Sequence, residues 1–123
     1  MKPVDVTYKN FTPSDAITDH VKKKAERLER LTDDIISTEV ALVSPGLHPH
    51  HGQNFEVHLN VKVPGKTLVV NRDPEDDKSH HDIYVAIRDA FAAMERQIKS
   101  YSEKQKDIRK KQAKAKQEMS RAQ

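Results

Sequence analysis

The sequence predicts an α+β domain in the order β-α-β-β-β-α, a four-stranded sheet with two helices packed on one face. Three observations carry this. Residues 3–9 and 54–63 alternate apolar and polar side chains, the period of a strand with one face in water. Residues 13–31, and a longer stretch opening near His81-Asp82, repeat apolar side chains at intervals of three and four, the period of a helix with one buried stripe. Half-wet strands and one-sided helices combine most economically as two layers.

In the first strand, over residues 3–9, Val4, Val6 and Tyr8 share a side. Thr12 can then cap a helix, Pro13 suits its first position, and Asp15 complements the dipole at the N-terminus. Across residues 13–31 the buried stripe is Ile17, Val21, Ala25, Leu28 and Leu31. Asp33-Asp34 turns the chain into a β-branched stretch, 35–43, with Ile36, Val40 and Leu42 on one face. Residues 44–52, containing Pro45, Gly46 and Gly52, read as a loop.

The third strand is the most regular, with Phe55, Val57, Leu59, Val61 and Val63 opposite Glu56, His58, Asn60 and Lys62. Pro64-Gly65 marks a turn into a short strand over 66–71 that holds Leu68 and Val70. Residues 73–77 form an acidic loop. In the second helix, Tyr84, Ile87, Phe91, Met94, Ile98 and Tyr101 make a seam of coiled-coil type. Past Tyr101 only Ile108 and Met119 are large and apolar. A helix with nothing to pack against is marginal in water. The division expected is therefore a domain over 1–106 and a basic extension over 107–123, frayed helix or disordered.

Charge is unevenly spread. Residues 99–123 carry nine Lys/Arg against three acids, a net of +6, whereas residues 1–98 carry thirteen against sixteen, a net of −3. A concentrated basic segment suits a partner rich in phosphate. The chain has no cysteine, which excludes disulfides, thiol chemistry and cysteine-ligated zinc. With no apolar run of signal-peptide or membrane-span length, a soluble cytoplasmic protein is the expectation.

Little points to catalysis. Only three glycines occur, with no phosphate-binding loop, and no serine lies in a nucleophile-elbow context. The acids of 73–77 lack the ordered spacing of a calcium loop. His48, His50, His51 and the pair His80-His81 could in principle hold zinc or nickel, as a metal-dependent hydrolase would require. Without Cys or carboxylate at ligand spacing, they read as polar loop residues. His58, on the polar side of its strand, is expected in solvent. No metal, cofactor, small-molecule substrate or enzymatic activity is expected.

The basic residues are better organised. Lys23, Arg27 and Arg30 recur at i, i+4 and i+7, away from the apolar stripe of the first helix, and Arg88, Arg96, Lys99 and Lys106 avoid the seam of the second. Taken singly, each stripe is a solvated helix surface with acidic neighbours such as Glu26 and Asp89. Two helices on one side of a sheet would merge the stripes. Such a surface binds phosphate without reading bases, with affinity that falls steeply as salt rises. Few aromatics are available for stacking, since Phe55, Tyr84 and Phe91 are assigned to the core, and structured RNA fits better than single strands.

The segment Asp19-His20-Val21-Lys22-Lys23-Lys24-Ala25-Glu26-Arg27-Leu28-Glu29-Arg30 resembles the first-helix motif of the bacterial ribosome hibernation promoting factor / ribosome-associated inhibitor family. Asp82-Ile83-Tyr84-Val85-Ala86-Ile87, followed by Met94-Glu95-Arg96-Gln97-Ile98-Lys99, is similar to its second helix, and Val63-Pro64-Gly65 to its turn between the third and fourth strands. The resemblance covers about residues 3–106. It implies the same fold, like that of a double-stranded-RNA-binding domain, and a non-enzymatic role. Members bind the small ribosomal subunit in stationary phase or stress, occupy the tRNA/mRNA channel and silence translation.

Carried over, Lys23, Lys24, Arg27 and Arg30 match the first-helix basic positions, and Arg96, Lys99 and Lys104 match the second. Lys24 borders the apolar face and can snorkel. Ser100 and Ser102 stand where the family usually has Lys, and the loops at 45–53 and 72–81 look longer than in short members. No second, dimerising domain is expected. The tail is nearer the ribosome-associated inhibitor type, and a monomer is expected when free. The competing reading is a protein-interaction module in which the second helix associates as a coiled coil.

Overall fold

In a computed structural model, residues 2–10, 12–44, 55–72 and 82–121 are described. The His-rich segment 48–51, the acidic loop 73–77 and His80-His81 lie outside them. The elements are β1 (Val4–Lys9), α1 (Asp15–Glu29), β2 (Ser37–Val43), β3 (Glu56–Val63), β4 (Lys66–Arg72) and α2 (Ile83–Arg121). They form one sheet in the order β1-β2-β3-β4. β1 runs parallel to β2, with Val6 beside Val40, and the next two pairings are antiparallel, with Val40 opposite Leu59 and Leu59 opposite Val70. Parallel neighbours need a crossover, and α1 supplies it.

Alternation decides which side of the sheet is covered. Val40 and Leu42 of β2, Val57, Leu59, Val61 and Val63 of β3, and Leu68 and Val70 of β4 are buried in one core with Val21, Ala25 and Leu28 of α1. α2 closes it with Ile83, Ala86, Ile87, Ala90, Phe91, Met94, Ile98 and Tyr101. Both helices thus lie on one face, as the sequence predicts. Tyr8 ties β1 to α1 by donating to the Ser14 carbonyl at 2.9 Å and meeting Thr18 Oγ1 at 2.6 Å. At the other end, the Tyr101 hydroxyl donates to the Pro64 carbonyl, and Lys66 Nζ sits 5.4 Å from the Tyr101 ring centre. The turn between them holds Gly65 at φ +86°, a conformation glycine enters without steric cost.

Several local expectations shift. The cap of α1 is Ser14, whose hydroxyl accepts from Ile17 N–H, so Thr12 and Pro13 precede the helix. β2 begins at Ser37, because residues 33–34 turn and Ile36 N–H donates to the Lys62 carbonyl at 2.7 Å. That bend buries Ile35 and leaves Ile36 55% exposed, correcting the assignment of Ile36 to the inner face. Thr38 faces inward with Val40 and Leu42, its hydroxyl without a partner among the described residues.

On α2, Asp82 accepts from Tyr84 N–H at 2.9 Å and fixes the helix start. Ile83 then faces the core, whereas Tyr84 is 42% exposed, correcting its assignment to the seam. α2 continues as one helix to Arg121, through residues for which the sequence leads one to expect fraying. From Glu103 to Gln117 its side chains lie in solvent, Gln105 alone being half-buried. Among the described residues, no helix is long and apolar enough to cross a membrane.

Candidate nucleic-acid interface

Among the described residues, hollows lie on opposite sides of the sheet. The larger, about 450 Å³, is on the uncovered face and is lined by Asp5, Thr7, Glu39, Ala41, His58 and Asn60 among others. In the strand register Asp5 and Glu39 are direct neighbours, so carboxylates meet there. His58 is half-buried rather than free in solvent, its ring held between Asn71 Oδ1 at 2.9 Å and Glu56 Oε2 at 3.3 Å. Lys9 and Lys62 alternate onto the same face, so its charge is mixed rather than purely acidic. Among the described residues, no group of three or more His, Asp or Glu is placed to hold a metal ion.

The smaller hollow, about 140 Å³, opens between the helices. α1 contributes Lys24, Arg27 and Leu28, and α2 contributes Arg88, Phe91, Ala92 and Glu95. The helical period explains the gathering. At about 100° per residue, Lys24 and Arg27 lie on the flank of α1 beside its buried stripe, and Arg88, Ala92, Glu95, Lys99 and Lys106 share one side of α2. Lys24 is half-buried, with its stem along the apolar contact, whereas Lys23, Arg27 and Arg30 are exposed.

Arg88 reaches Asp89 at 3.2 Å, and Lys99 reaches Glu95 at 3.4 Å. Both are exposed surface pairs of the kind worth at most about 1 kcal/mol, so phosphate can displace them. Arg96 lies about 80° further round α2 than Arg88, and Lys104 about 160°. The structure therefore brings Lys24, Arg27, Arg88, Lys99 and Lys106 to one side, sets Lys23, Arg30 and Arg96 on the outer crests, and turns Lys104 away.

Sequence reasoning did not place His20 and Tyr84 here. Their rings meet edge-on at 5.0 Å and 78°, bridging the two helices beside the cations. Burial first, then Lys24 and Lys23, hold the His20 pKa below its usual value, so the ring adds no charge to this surface near neutrality. The i, i+4 spacing of His20 and Lys24 was the available signal, but only the packed helices reveal the Tyr84 contact. The seam needed for a coiled-coil partner is meanwhile covered by the sheet and α1, which removes the support for that reading over Ile87–Tyr101.

The sequence profile of the family described as sigma 54 modulation protein / S30EA ribosomal protein matches residues 4–106, the whole sheet, α1 and α2 to five residues past Tyr101. The chain belongs to that family. Among S30EA relatives, a ribosome hibernation promoting factor of Azotobacter vinelandii is 31% identical over 102 residues, spanning 83% of this chain and 84% of its own length. A ribosome hibernation promotion factor of Deinococcus radiodurans is 28% identical over 82% of this chain, which spans about half of that protein (49%). The crystal structure of the Thermus thermophilus Protein Y N-terminal domain superposes with a TM-score of 0.64 at 30% identity, covering 82% of this chain and 99% of that one. A ribosomal subunit interface protein from Coxiella burnetii shares the fold, with a TM-score of 0.60 at 20% identity over 80% of this chain and 96% of that one.

Proposed function

We propose that this S30EA-family protein silences translation by binding the small ribosomal subunit in the tRNA/mRNA channel during stationary phase or stress. It does so without catalysis, as a cytoplasmic monomer before it binds. The observation that carries the reading is the union of cations from two helices on one side of the sheet. Lys23, Lys24, Arg27 and Arg30 of α1 and Arg88, Arg96, Lys99 and Lys106 of α2 contact rRNA phosphates, whereas Lys104, on the opposite side of α2, stays clear of them. Backbone contacts of this kind position a protein without reading sequence. The names borne by the Azotobacter and Deinococcus relatives support the same direction.

Sucrose-gradient sedimentation with purified small subunits tests the reading. The protein is expected to travel with the subunit at low salt and to be released at high salt. Charge reversal at Arg27, Arg30 and Arg96 together should abolish the association. Protein that stays at the top of the gradient at low salt would refute the proposal.

A further inference from the structure

The cleft between the helices has a chemistry that phosphate alone does not explain. Its bottom is apolar: Leu28 and Phe91 are almost wholly buried, and the Ala92 methyl lies at the surface beside them. Its rim holds three cations, Lys24, Arg27 and Arg88, and one carboxylate, Glu95. A bare phosphate would satisfy the rim and leave the exposed Ala92 methyl unmatched. An aliphatic side chain would cover the floor and leave the cations unmatched. A nucleotide offers a flat, largely apolar ring and an anion joined to it.

At about 140 Å³ the hollow is smaller than the roughly 300–1,000 Å³ that encloses a whole drug-sized ligand. A ring can enter it while sugar and phosphate remain outside. We propose that this cleft receives one unstacked nucleobase of the bound RNA, with its phosphate held at the rim by Arg27 and Arg88. The proposal rests on the RNA-binding reading above and adds a base-specific element to it.

RNA proteins commonly take splayed bases in this way, on apolar or guanidinium surfaces. Glu95 gives the site a preference. Its carboxylate accepts hydrogen bonds, and an exocyclic amine, as on cytosine or adenine, donates them. The pair with Lys99 leaves the carboxylate at the wall, since it joins two groups on the same helix one turn apart.

The test uses the full chain and its Ala92→Leu variant. Leucine favours helix and fills the hollow without changing charge. Circular dichroism and a thermal melt establish that the variant folds. Affinity for purified small subunits is then measured at fixed salt, with base-specific chemical probing of the subunit RNA. The wild-type protein should protect the pairing edge of an unpaired base. Ala92→Leu should bind roughly tenfold more weakly and lose that protection, while its salt dependence stays the same.

A variant equal to wild type in affinity and protection would overturn the proposal. So would weakened binding with no base protected by the wild type, the pattern expected if a side chain of a subunit protein fills the cleft. Failure of the wild type itself to bind would refute the RNA reading and the base site with it. The wild-type measurement alone separates that case from the others.

Discussion

His20 sits among cations and gives up its own charge. Its ring packs edge-on to Tyr84 of α2, with Lys23 and Lys24 on its own helix and Arg88 one turn beyond Tyr84. Desolvation, then Lys24 and Lys23, lower its pKa from 6.5. The consequence for stability has a definite sign. Above 6.5 both folded and unfolded chains hold the ring neutral, and this residue adds no pH dependence. Below 6.5 the unfolded chain takes up the proton first, so stability falls as pH drops toward the folded value and then levels off. Urea unfolding of wild type and His20→Gln between pH 7.5 and pH 5 checks this. The variant should lose less stability over that range than wild type, and equal losses would show that His20 is not the group responsible.

At the scale of elements, α2 shows what the sequence discloses and what it withholds. Its buried spacing from Ile87 through Tyr101 was legible, because a seam of large apolar residues admits one facing direction. Its first turn was not, since Ile83 and Tyr84 both fit the period and the choice falls to the Asp82 cap. Ile35 and Ile36 posed the same problem, resolved by a backbone bond to Lys62. The basic residues of the candidate site were named from sequence. Their division into cleft, crest and far side was not, because it depends on the angle at which two helices pack. The reach of α2 past Tyr101 is about 30 Å of helix, and along it Arg109 stands 3.9 Å from Asp34. An exposed pair contributes at most about 1 kcal/mol. Deleting residues 107–123 should therefore leave the thermal midpoint within a few degrees of wild type, with a loss of helical signal in circular dichroism. Collapse of the truncated protein would show that this segment supports the core.

The whole molecule is polarised across its sheet. Asp5, Glu39 and Glu56 project from the uncovered side together with Lys9 and Lys62, whereas the cations of α1 and α2 gather on the helical side. On the proposed RNA-binding reading, the clustering of cations on the helical side sets which way round the protein docks. The reach of α2 past Tyr101 lengthens the cationic side unevenly, since Lys106 continues the line of Arg88 and Lys99 while Lys104 points nearly opposite. This asymmetry allows a test that total charge cannot mimic. Each phosphate contact adds roughly 0.7–0.9 to the magnitude of the slope of log affinity against log salt. Lys106→Gln should lower that magnitude for small-subunit binding by nearly one, and Lys104→Gln should leave it within error, although both remove a single charge from the same stretch of helix. Equal reductions would mean that net charge, rather than the face defined by the two helices, governs docking.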